Sequence, residues 1–147
     1  MIAPTIVAAQ QDWPVPVWTH KWESDAAFER QTRFLMERYR VLRPALGSHN
    51  VRSIAHGLAV ADALGLPAHG YEFQMLYGMA EPIKDVLAGM GQRVRVYTPY
   101  GELLPGMAYL VRRLLENTAN ESFLRASFSE HVPEDELLRD PREMGKL

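Results

Sequence analysis

Two adjacent arginines followed by a glutamate at helical spacing, Arg112, Arg113 and Glu116, are the residues of this sequence with the most chemistry to offer. They fall in a stretch, about residues 104–117, where Met107, Leu110, Val111, Leu114 and Leu115 repeat at the i, i+3, i+4, i+7, i+8 positions of one buried helical stripe. At about 100° per residue the two arginines flank the opposite face, with Glu116 between them. A planar guanidinium donates two parallel hydrogen bonds to a carboxylate, a geometry lysine cannot supply, so the pair suits a small molecule carrying a carboxylate. The same spacing also describes a solvated face whose Arg112–Glu116 pair is worth about 0.2–0.5 kcal/mol. Spacing alone does not choose between the two.

Further polar candidates stand at the ends of short apolar runs: Ser48-His49-Asn50, Gln74, and Tyr97-Thr98. Taken singly, His49 reads as a hydrogen-bonded structural histidine and Tyr97 as a core aromatic. Their value lies in the elements that would position them.

Pro14 and Pro16 force an extended connector, since each fixes its own φ and biases the preceding residue away from helix. Ahead of it, Ile2, Ile6 and Val7 read as the tail of a helix. Ser24 is placed to cap a second helix, with Phe28, Leu35, Tyr39 and Leu42 near one face and Pro44 as its stop. From there short apolar runs alternate with helical patterns. The runs are 45–48, 71–76 and 94–97; the helices carry Ile54, Leu58, Ala61 and Leu64 up to Gly65 and Pro67, then Pro82 through Val86, Leu87 and Met90 to Gly91. Pro99 and Gly101 close the last run. Three strand-then-helix units predict parallel strands with crossover helices, an α/β fold. In such folds ligands gather at the C-terminal ends of strands, where these polar residues sit.

Composition narrows the function classes. The 147 residues are 47% hydrophobic and 23% charged, with a formal charge of −2, and no stretch of the sequence gathers a basic run suited to nucleic acid. With no cysteine there is neither a disulfide framework nor a thiolate metal site, which favours the cytoplasm. No metal-ligand motif, GxGxxG or P-loop is present. The apolar residues 1–9 are too short for a spanning helix of about 20 residues.

The stretch Tyr109-Leu110-Val111-Arg112-Arg113-Leu114-Leu115-Glu116-Asn117, preceded by Arg95-Val96-Tyr97-Thr98-Pro99-Tyr100-Gly101, closely resembles the final strand and helix of the proline dehydrogenase domain of bacterial proline utilization A proteins. Tyr71-Glu72-Phe73-Gln74-Met75-Leu76-Tyr77-Gly78-Met79 is similar to the family's preceding strand, and Ser48-His49-Asn50 to the one before, where Thr-His-Asn is more usual. The similarity runs from about residue 7 to 141. It implies the C-terminal portion, about three βα units, of a (βα)8 TIM-type barrel holding FAD, with the last helix across the barrel mouth. Residues 1–128 would be partial barrel, and 129–147 a short helix and linker tail.

The resemblance further implies hydride transfer from L-proline to flavin, giving pyrroline-5-carboxylate, with a membrane quinone as electron acceptor and the full-length protein cytoplasmic and peripheral to the inner membrane. Arg112 and Arg113 would bind the proline carboxylate, and Tyr97 would pack beside its ring. Ser48, His49, Gln74 and Glu116 would contact the flavin. Where the family reads Thr-Arg-Lys, this sequence has Thr19-His20-Lys21, so Lys21 would compensate for the missing arginine contact.

The family's substrate lysine, an active-site aspartate and a further flavin arginine belong to earlier strands, and the resemblance places Met1 just after the fifth. The expectation is therefore a chain that needs the N-terminal part of the barrel as partner and is inactive by itself. The alternative is a non-catalytic remnant or binding module retaining part of the flavin and carboxylate site.

Overall fold

A computed structural model describes residues 2–102, 104, 106–109, 111, 133, 135 and 138–144. Three strands, β1 (Ala45–Gly47), β2 (Glu72–Leu76) and β3 (Val94–Tyr97), form one parallel sheet in the order β1-β2-β3. The register pairs Leu46 with Phe73, Phe73 with Val94, and Leu76 with Tyr97. The expected α/β organisation is thus present, with all three strands where proline and glycine punctuation placed them.

Helices among the described residues include α1 (Ile2–Gln10), α2 (Lys21–Met36), α3 (Tyr39–Leu42), α4 (Val51–Ala63), α5 (Glu81–Gly89) and a short one, Pro141–Met144. Asn50 starts α4, its side chain accepting the N–H of Arg52 at 2.9 Å. Ser24 does not cap α2: the helix begins three residues earlier, and Ser24 Oγ donates instead to the Lys21 carbonyl at 2.7 Å. Glu23 provides the N-terminal closure by accepting from the backbone N–H of His20 at 2.9 Å and of Thr19 at 3.0 Å. Those bonds, the one from His20 foremost, hold its carboxyl below the usual carboxylate range. Nor does α2 run on to Pro44, since Glu37 and Arg38 separate it from α3.

One face of the sheet carries the core. Leu46, Phe73 and Met75 point to a layer built by Met36 of α2, Ile54, Val60 and Ala61 of α4, and Leu87 of α5, all at most 5% exposed. Alternation along β2 sends Glu72, Gln74 and Leu76 to the opposite face. Gly57 lets α4 approach: a Cβ there would lie 2.7 Å from Leu46 Cδ1.

A buried carboxylate joins α2 to α4. Glu29, 6% exposed, accepts from Arg52 Nε at 2.7 Å and lies 3.5 Å from Nδ1 of His56. Arg52 also donates to the carbonyl of Leu138 at 2.8 Å, so the same guanidinium fastens the segment before Pro141–Met144. The expected boundary at 128/129 falls outside the described residues.

Candidate functional site

At the C-terminal ends of the strands lies a half-open hollow of about 450 Å³ lined by Gly47, His49, Gln74, Met75, Leu76, Tyr97 and Tyr109. Three of the residues expected at a site, His49, Gln74 and Tyr97, therefore meet in one concavity. Each follows from its element: His49 is in the turn between β1 and α4, Gln74 is on the open face of β2, and Tyr97 ends β3 beside Leu76.

The walls are fixed by identifiable bonds. The backbone N–H of Leu76 donates to Nε2 of His49 at 3.0 Å. A ring nitrogen that accepts carries no proton, so this bond selects the tautomer with its proton on Nδ1. From the other side Lys84, 7% exposed, donates from Nζ to the Leu76 carbonyl at 3.1 Å and to Glu81 at 2.6 Å. The last residue of β2 is thus gripped at both its polar groups. Gln74 donates to Glu72 at 2.8 Å, and Glu72 is in turn bound by both arms of Arg95 at 2.8 and 2.9 Å. Arg95 keeps the Glu72 carboxyl below its ordinary range.

Tyr97 and Tyr109 face each other with ring centroids 5.7 Å apart. Tyr109 belongs to the helical residues 104, 106–109 and 111, which follow β3. It stands at the head of the motif of residues 109–117. Of the expected stripe, Met107 and Val111 are 46% and 48% exposed, while Tyr109 turns to the hollow. The helix shows its tyrosine to the strand ends, and the sheet's core face is already occupied by α4 and α5.

The remaining expected residues divide. Ser48 accepts from the Asn50 N–H at 3.1 Å and shapes the turn beside His49, outside the hollow's lining. Lys21 is exposed and paired with Asp25 in the first turn of α2. Arg112, Arg113, Glu116 and the other stripe residues Leu110, Leu114 and Leu115 lie outside the described residues. Gly47, Met75, Leu76, Tyr109 and the bracing Lys84 were not singled out from sequence. A β2 end capped by polar groups 8 and 27 residues away leaves no local signal. Among the described residues no cluster of metal-ligand side chains occurs, and no helix is long and apolar enough to cross a membrane.

Comparison with known proteins bears on the family. The family model for proline dehydrogenase matches residues 3–126. The bifunctional protein PutA of Escherichia coli is 35% identical over 86% of this chain, and that of Rhizobium meliloti 38% over 88%, yet the match spans only 10% and 11% of those proteins. Among solved structures, proline utilization A of Bdellovibrio bacteriovorus, inactivated by N-propargylglycine, is 54% identical with a TM-score of 0.88. It covers 97% of this chain and 15% of its own. A family model matching most of the sequence, together with backbone agreement along nearly its whole length, shows that this chain belongs to the proline dehydrogenase family.

Proposed function

We propose that the chain is the C-terminal portion of a (βα)8 barrel, with its last helix across the mouth, in an FAD-dependent enzyme oxidising L-proline to pyrroline-5-carboxylate. The convergence of His49, Gln74, Tyr97 and Tyr109 on one hollow at the strand ends carries this reading. A flat, polar-edged cofactor needs apolar walls, a close backbone approach and polar atoms at the rim. Leu76 and the tyrosines supply the first. Gly47 leaves room for the second, since its missing Cβ would point into open space, with nothing within 4 Å. His49 and Gln74 supply the third, so the residues fit.

In this reading His49, Gln74, Ser48, Lys21 and Glu116 hold the cofactor, which when bound supplies the hydride acceptor. Arg112 and Arg113 neutralise and orient the substrate carboxylate, while Tyr97 and Tyr109 press on the pyrrolidine ring and exclude water. Holding two reactants in this way supplies several kcal/mol of barrier lowering, about 7–11 at best. The proposed electron acceptor is a membrane quinone, reached from the cytoplasm by peripheral association of the full-length protein.

The three strands among the described residues do not close a barrel that needs eight. The 147-residue chain alone is therefore expected to show no proline oxidation and at most weak flavin retention. Mixing or co-expressing it with a polypeptide supplying the other strands should yield a yellow complex whose absorbance near the flavin maximum is bleached by proline. A yellow complex that proline leaves unchanged would refute the proposed activity.

A further inference from the structure

The sequence shows no basic run, yet the fold assembles one. At the N-terminal ends of the strands, opposite the hollow just described, Arg40, Arg43, Arg93 and Arg95 converge with His69 around a concavity of about 500 Å³. Among the described residues of its lining Glu72 is the one carboxylate. Pro44 and the buried Tyr71 form its back wall. Gly70 closes the side, where an added Cβ would lie 3.1 Å from the Tyr39 ring. In a chain of net charge −2, this is a local excess of three positive charges with His69 neutral.

The arginines are not equivalent. Arg95 is held by both oxygens of Glu72, and Arg40 leans on the Tyr39 hydroxyl at 3.3 Å. Arg43 and Arg93 make no ion pair within 4 Å among the described residues, although Arg93 helps to lower the Glu72 carboxyl through space, and both are exposed. They come from two different connections, one entering β1 and the other β3. Arg43 reaches its place with φ of +46°, a left-handed conformation seldom taken by a residue with a side chain.

We infer that this hollow binds a polyphosphate group, either free diphosphate or the phosphate tail of a nucleotide. Guanidinium forks pair with phosphate oxygens two at a time. Two unpaired forks on separate loops need a ligand with charge at more than one centre, which a monocarboxylate such as proline lacks. The five residues of β2 put roughly 16 Å between this hollow and the strand ends where proline oxidation is proposed, so the two sites are distinct.

Calorimetric titration of the 147-residue chain with sodium pyrophosphate at low ionic strength tests the inference, with circular dichroism on the same sample to verify the helices. Saturable one-to-one binding is expected. Replacing both free forks, Arg43→Ala with Arg93→Ala, should weaken it by about tenfold or more, as hydrogen bonds to charged groups do. The exposed Arg30→Ala should leave it unchanged. ADP matching or exceeding pyrophosphate, with adenosine silent, identifies the nucleotide source; ADP weaker than pyrophosphate identifies the free anion. A helical chain that binds no pyrophosphate, a double variant that binds like the parent, or succinate binding more tightly than pyrophosphate would each overturn it.

Discussion

The amide of Leu76 and the imidazole of His49 are joined by a 3.0 Å hydrogen bond that ties the end of β2 to the turn after β1. One interaction therefore sets both the depth of the hollow and the tautomer of its histidine. His49→Ala leaves that half-buried amide without its acceptor and is expected to cost about 0.5–1.5 kcal/mol, the usual net worth of such a hydrogen bond. Urea unfolding measures this, and Lys84→Met should be comparably destabilising because it strips the carbonyl of the same residue.

Glu29 and Arg52 make a harsher case. Removing the guanidinium by Arg52→Ala leaves a carboxylate in the α2–α4 interface with His56 beside it and Arg142 near enough to act on it through space. A loss of about 3–5 kcal/mol is expected, against a smaller one for Glu29→Gln, whose amide still accepts from Arg52. Equal losses for the two variants would contradict this ordering.

Gly57→Ala tests the packing of α4 on the sheet. Helix propensity favours the change by about 1 kcal/mol, but the new methyl would press on Leu46, which is 3% exposed and has little room to yield. Overpacking of this kind costs about 1–3 kcal/mol. The expected net effect is a lower thermal midpoint, with a shift upward as the contrary result.

Asp140 predicts an acid dependence. Side-chain hydrogen bonds from Arg142, with its backbone N–H as the next cause, lower the Asp140 carboxyl from 3.8 to about 2. A carboxyl lowered in the folded state contributes stability that is complete above its ordinary value and lost as the pH falls through the lowered one. Docking of the Pro141–Met144 segment should thus weaken between about pH 4 and pH 2, and Asp140→Asn should remove that component. Protection of this segment from proteolysis, followed against pH in both proteins, provides the check.

In a complete barrel, Arg113→Met is expected to raise the KM for proline by about tenfold or more while leaving flavin content intact. Steady-state kinetics alongside the flavin-to-protein absorbance ratio separate this from a cofactor role. Loss of flavin would move Arg113 from substrate to cofactor.

Much of this architecture is written locally. Pro44, Gly65, Pro67 and Gly91 bracket the strands, and β-branched and aromatic residues at 94–97 mark β3 where it is found. The convergence of His49, Gln74 and Tyr97 follows once those strands are parallel. Other features depend on partners distant in sequence. The burial of Glu29 needs Arg52, 23 residues on, and the grip of Arg52 on Leu138 spans 86. The arginine hollow gathers residues from three connections, none of which is basic enough to notice alone. At α2, cap chemistry misled because Ser24 is the better capping residue by type, while Glu23 sits where it can reach the free amides.

Among the described residues β1 and β3 each have one neighbour only, so both rims of the sheet present backbone donors and acceptors with no ladder to join. A sheet edge in this condition is a template: it can recruit an extended segment, whether from the further strands of the barrel proposed above or from another copy of itself. The concentration of the polypeptide will weigh assembly against clumping.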